Sequence, residues 1–251
     1  SNNPMLSLPA ATDDLAEIEG HAKRILSTCE DVLVVGVGGS SLGAQALIQA
    51  CAMYNKNRPN MTFEDNLSPR GFPNSLANLN PKKTHVLAIS KSGCTMELHA
   101  QLAFILEWLE KEKCTFKNHI TVITEKTTSP LRKLVEIHDL PSLEYLATLS
   151  GRFSVLSNVG LLPAAIAGVN IREVRRGAQE VIDEMKSAKC PADVPSAVSA
   201  AHIVSQQQQN NINISVLFLY ANRLRKFGEW YCQLWAESIG KNGVGTAPII
   251  S

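Results

Sequence analysis

Three segments read as buried strands: Asp31–Val37 (DVLVVGV), apolar after its first residue, Thr84–Ser90 (THVLAIS) and His119–Thr124 (HITVIT). A strand that is apolar at every position has both faces buried, as in a parallel sheet covered by helices on each side. The intervening segments read as helices: Asp14–Cys29, with Leu15, Ile18, His21, Ala22, Ile25 and Leu26 on one stripe, then Leu42–Ala52, Thr95–Glu112 and Ser129–Ile137. Met61–Asp65 reads as a short strand, residues 66–80 as turns around one short helix, and Leu143–Leu146 as an edge strand. Strand and helix therefore alternate, which predicts an α/β fold with a parallel sheet and helices on both faces.

At 251 residues and 45% hydrophobic content the chain can bury a substantial core, as one large or two small domains. Its net charge of +1 argues against a nucleic-acid surface. The longest apolar runs are interrupted and too short for a bilayer, so no membrane partner is expected. The first ten residues, SNNPMLSLPA, lack a secretory pattern. None of the six cysteines forms a Cys-x-x-Cys pair, which fits reduced thiols and a cytoplasmic location. The histidines are scattered, so no metal site is expected.

From Gly151 the texture changes. Helices are predicted at 155–167, 171–185, 195–209 and 224–238, with a strand at Ile212–Tyr220. The QQQQNN run at 206–211 reads as a solvated helix end. The expected division is 1–147 as a first α/β subdomain and 148–251 as the start of a second. One strand cannot carry a helical layer, so the second part reads as incomplete.

Ligands of open α/β sheets bind at the C-terminal ends of strands, and two polar turns lie at such ends. The first is GVGGSSLG, residues 36–43. A dinucleotide turn needs G-x-G-x-x-G, but Ser41 occupies its sixth position. A phosphate loop needs a Lys after its last glycine, but Ala44 and Gln45 follow Gly43. The second turn, ISKSGCTMEL, gathers Ser90, Lys91, Ser92 and Thr95 at a helix start. Helix N-termini attract anions. An ordinary cap needs one hydroxyl; three with a lysine suit a phosphomonoester. Ser40 can reach the same anion, and the glycines beside it let a sugar approach the backbone.

Four blocks, GVGGSSLG, SKSGCT, SGRFSVLSNVGLLPAAIAG and WYCQLWAESIGK, together resemble glucose-6-phosphate isomerases of the bacterial type and follow that family's order from Gly36 to Lys241. The resemblance implies a three-layer sandwich of sugar-isomerase type, its second subdomain incomplete here. It also implies a homodimer, a hexose 6-phosphate substrate and no cofactor. It makes Glu237 the base for the C2 proton, Arg152 the cation for the enediolate, and Gln233 a substrate contact one helical turn before Glu237. Gly38, Gly39, Ser40, Ser90, Lys91, Ser92 and Thr95 match the sugar and phosphate contacts. Leu234 and Trp235 suggest an apolar shell that would raise the Glu237 pKa. Phe227, Trp230, Tyr231 and Trp235 read as core. Cys94 stands where the family has Thr, and Ser150 where it has Gly. The family's ring-opening His and C-terminal Lys fall beyond GTAPIIS, so the chain reads as lacking the family's C-terminal part. The competing reading is a non-catalytic sugar-phosphate-binding domain, which would not need Arg152, Gln233 and Glu237 together.

Overall fold

A computed structural model describes residues 3–51 and 57–251. Its main sheet has five parallel strands: β1 Asp31–Val35, β2 Asn60–Glu64, β3 Thr84–Ile89, β4 Ile120–Thr124 and β5 Ser142–Glu144, in the order β2-β1-β3-β4-β5. The apolar runs are the central strands, as their composition requires. Along β1, Val32 and Val34 enter one core while Leu33 and Val35 enter the other. Each such side chain is essentially inaccessible, and its full burial is worth about 1.5–3 kcal/mol.

One face carries the helices Gly71–Ala77, Met96–Lys111 and Pro130–His138, through Phe72, Leu98, Ile105, Leu131 and Val135. The other carries Leu15–Leu26 and Asn158–Ile166, through Ile18, Ile25, Leu161, Leu162 and Ile166. This is the three-layer α/β arrangement that the alternation predicts. The helix read at 42–52 runs from Leu42 to Cys51, and Ala52 lies outside the described residues.

The segment after β5 supplies a whole helix to the core of this sheet, although it lies past residue 147. The helix expected over 155–167 is two elements: a tight 3-10 stretch, Gly151–Leu156, and the helix Asn158–Ile166. Ser157 between them is extended and caps the second by accepting from the Val159 N–H. A Cβ on Gly160 would meet the Val155 carbonyl oxygen at 2.1 Å. The chain thus folds back on itself, which periodicity alone does not reveal.

The longer helices that remain are Ile171–Ser187, Pro195–Asn210 and Arg225–Ile239. The predicted strand shortens to β6, Ile214–Leu217, and pairs in parallel with β7, Ala247–Ile250. The composition around β7 hides it, since four residues including Pro248 give no strand signal. β6, the Arg225–Ile239 helix and β7 make one β-α-β unit, and the helix packs on Leu42–Cys51. The aromatics of this helix are half-buried or exposed, not core as expected: Phe227 is 36% exposed. The reason is that the helix lies beside the main sandwich instead of between two covered layers.

Candidate active site

The strand order reverses between β1 and β3, which makes the crevice beyond their C-terminal ends the topological switch point where open sheets bind ligands. The turns after β1 and β3 flank it. A cavity of about 270 Å³ opens there, lined by Val37, Gly39 and Ser40 after β1, Lys91, Ser92 and Thr95 after β3, Glu125 after β4, and Tyr145 and Gly151 after β5. A larger open groove of about 490 Å³ runs past Met185, Pro191 and Ala197. Its lining is mainly apolar, whereas the smaller cavity gathers polar side chains from four strand ends and is the better site.

The first turn is held by close approach. Gly38 has φ +57°, a left-handed conformation that favours glycine. A Cβ there would stand 2.9 Å from Gln233 Nε2, and a Cβ on Gly39 only 2.2 Å from the carbonyl carbon of Gly151. The Ser154 hydroxyl bridges the two turns, donating to Gly39 O at 3.1 Å and Gly151 O at 2.7 Å.

The second turn divides its hydroxyls between support and cavity. Ser90 is buried; its Oγ accepts from the Gly93 N–H at 3.1 Å and bonds Thr95 Oγ1 at 2.8 Å. Thr95 caps the Met96–Lys111 helix by position, yet its side chain makes no capping bond to the first-turn N–H groups. Ser92 Oγ accepts from the Cys94 N–H at 3.2 Å. Lys91 Nζ donates to Ala147 O and Leu149 O, both at 2.8 Å, with Glu125 Oε1 3.8 Å away. Its ammonium therefore ties this turn to the segment leading into Gly151 and Arg152.

Arg152 leaves the same segment toward the Arg225–Ile239 helix. Its Nε donates to Ser238 Oγ at 2.8 Å, its Nη1 lies 3.6 Å from Glu237 Oε2, and its guanidinium lies 4.8 Å from the Phe153 ring centroid. Its backbone oxygen accepts from Trp230 Nε1 at 3.2 Å. Gln233 Nε2 donates to Glu237 Oε1 at 2.9 Å. The Glu237 carboxylate is thus held between an amide and a guanidinium, with its side chain 48% exposed. The apolar shell expected from Leu234 and Trp235 is not what surrounds it, because Trp235 points away and donates to Thr246 O and Oγ1.

The structure brings Gly39, Ser40, Lys91, Ser92 and Thr95 to one cavity. Arg152 joins it through Gly151, and Gln233 approaches it behind Gly38. Ser90 stays beneath as a support. Glu125 and Tyr145 were not anticipated from sequence. Each directly follows a strand, β4 or β5, so the strand-end rule that marks the first two turns also marks them. Burial pushes the Tyr145 phenol above its ordinary pKa, so it is a neutral hydroxyl near neutral pH.

A switch-point cavity edged by a hydroxyl-rich turn at a helix start is the kind of place where open α/β folds hold small anionic ligands. A family profile described as phosphoglucose isomerase matches residues 16–247, and the chain belongs to that family. It is 33% identical to a glucose-6-phosphate isomerase of Rubrobacter xylanophilus, over 97% of this chain and 58% of that protein. It is 32% identical to a glucose-6-phosphate isomerase of Thermus thermophilus, over 94% of this chain and 55% of that one. Among solved structures, a hypothetical protein from Thermus thermophilus superposes with a TM-score of 0.87 at 30% identity, covering 99% of this chain and 59% of that chain. A glucose-6-phosphate isomerase from Chlamydia trachomatis shares the fold, with a TM-score of 0.81 at 20% identity over 95% of this chain and 46% of that chain. The chain spans about half the length of the curated relatives it matches.

Proposed function

We propose that this chain carries the aldose–ketose isomerase chemistry of glucose 6-phosphate and fructose 6-phosphate. The observation that supports it most is the Glu237 carboxylate held between Gln233, which meets the first turn at Gly38, and Arg152, which follows the cavity-lining Gly151. Ser40, Ser92 and Thr95 offer donors to the phosphate, aided by the field of the helix that starts at Met96. On the open-chain aldose, Glu237 takes the C2 proton, leaving an enediolate with its charge on the C1 oxygen. The C2 hydroxyl proton passes to the C1 oxygen, and Glu237 returns its proton to C1, leaving the ketose. Arg152 offsets the negative charge that develops on the two oxygens. A positioned base of this kind contributes roughly 10²–10⁴ in rate. The names of the relatives favour the same substrate pair.

The reading extends to a cytoplasmic homodimer with two sugar-isomerase-type subdomains, divided near residue 147. Among the described residues the cysteines are unpaired and no helix is long and apolar enough to cross a membrane.

The test is conversion of fructose 6-phosphate to glucose 6-phosphate by this chain, with Glu237→Gln as the control. Conversion by the wild type and its loss in the control are expected. Thermal stabilisation by the phosphosugar with no conversion would replace the isomerase reading with that of a binding domain.

A further inference from the structure

The Tyr145 side chain is fully buried at the cavity, yet its hydroxyl has no hydrogen-bond partner. An unmet buried hydroxyl is unfavourable, because its hydration is lost and nothing replaces it. Two hydroxyls, Ser154 and Ser40, lie close enough to favour ionisation of the phenol, although neither stands where it forms a hydrogen bond to it. The Ser154 proton is already shared between Gly39 O and Gly151 O. Ser40 faces the cavity, so its side chain is the one a ligand can turn.

We propose that Tyr145 is a positioning residue that acts through Ser40. When the Ser40 side chain turns to donate to a ligand oxygen, its Oγ comes into line with the Tyr145 O–H, which then donates to Ser40 Oγ. A serine hydroxyl has one donor and two acceptor sites, so both bonds can coexist. Each polarises the other. The unmet hydroxyl of the free protein is thereby satisfied in the complex, and ligand affinity rises.

This inference rests on the hexose-phosphate reading of the cavity. The experiment is a titration calorimetry cycle on wild type, Tyr145→Phe, Ser40→Ala and the double variant, with glucose 6-phosphate and separately with inorganic phosphate. Melting of each free protein is recorded alongside. Tyr145→Phe removes only the hydroxyl. It should leave the free protein's melting temperature unchanged or higher and weaken glucose 6-phosphate binding roughly three- to tenfold, the worth of one net hydrogen bond. In the Ser40→Ala background it should have no further effect. Equal weakening toward inorganic phosphate identifies the ligand oxygen as a phosphate oxygen, and weakening toward the sugar phosphate alone identifies it as a sugar hydroxyl. Unchanged affinity in Tyr145→Phe, additive losses in the double variant, or a lower melting temperature would overturn the proposal. A wild type that binds neither ligand would instead defeat the hexose-phosphate reading itself, and this inference with it.

Discussion

Replacing Gly39 by Ala adds one methyl group where two distant turns touch. The added carbon would lie 2.2 Å from the Gly151 carbonyl carbon, 2.4 Å from its oxygen and 2.7 Å from its Cα. Carbon atoms pack comfortably at about 3.5–4 Å, so the turns must part by more than about 1 Å. Both opposing groups are backbone and have no side-chain rotation with which to yield. Overpacking of this kind costs about 1–3 kcal/mol. Parting the turns also strains the buried Ser154 bond to Gly39 O, worth about 1 kcal/mol. A loss of about 3 kcal/mol in a chain this long lowers the melting temperature by roughly 6–12 °C. Because Arg152 directly follows Gly151, it moves too, and a misplacement of about 1 Å lowers a rate by roughly 10². Gly151→Ala provides the control. Its Cβ would meet Gly39 Cα at 3.6 Å and the Tyr145 hydroxyl at 3.8 Å, both ordinary contacts. Calorimetry and the isomerase assay on both variants should find Gly39→Ala damaged and Gly151→Ala near wild type. If Gly39→Ala melts with the wild type, or Gly151→Ala is the worse of the two, the steric argument fails.

Two further predictions concern stability away from the cavity. Burial pushes the His85 pKa down to about 3, and the Arg24 charge acts in the same direction. Arg24 Nη2 donates to Thr121 Oγ1, which leaves the Thr121 proton for neutral His85 Nε2 at 2.8 Å. The unfolded chain binds this proton near pH 6.5, so the stabilisation is complete above that pH and declines as the pH falls toward 3. Between pH 7 and 5 the loss is about 2 kcal/mol, and half-buried His21, also lowered by burial, adds to it. Urea unfolding at both pH values should give His85→Asn a smaller loss than the wild type; an equal loss would refute the assignment. Separately, the guanidinium of buried Arg175 is gripped by Asp14 at 2.5 and 2.6 Å and donates to Ala11 O and Leu156 O. Asp14→Ala leaves that charge without its counter-ion and should remove about 3 kcal/mol, read as a fall in melting temperature; a calorimetric trace matching the wild type would sink this estimate.

The central strands were legible because a strand buried on both faces must be apolar throughout, and DVLVV, THVLAI and ITVIT are nearly so. The hydroxyl-rich turn was legible because its residues are consecutive and a helix follows at once. β7 was not, since Ala247–Ile250 is too short to show alternation and carries a proline. The split of the 151–166 segment was hidden for a different reason: Ser157 and Gly160 act there through backbone geometry, which apolar composition masks.

By itself the sequence determined the class of fold, the two turns and the residue types offered for chemistry, because each depends on neighbours along the chain. The tertiary structure alone decided which of them meet. Gly39 against Gly151, Arg152 beside Glu237 and Ser238, and Lys91 bonded to Ala147 and Leu149 join segments far apart in sequence. The order β2-β1-β3-β4-β5 is of the same kind, since parallel crossovers fix the hand of a connection but not the side on which the next strand docks. That order puts the crevice between β1 and β3. Tyr145 becomes part of the site only because β5 ends beside it, where burial against other segments leaves its hydroxyl facing Ser40 rather than water.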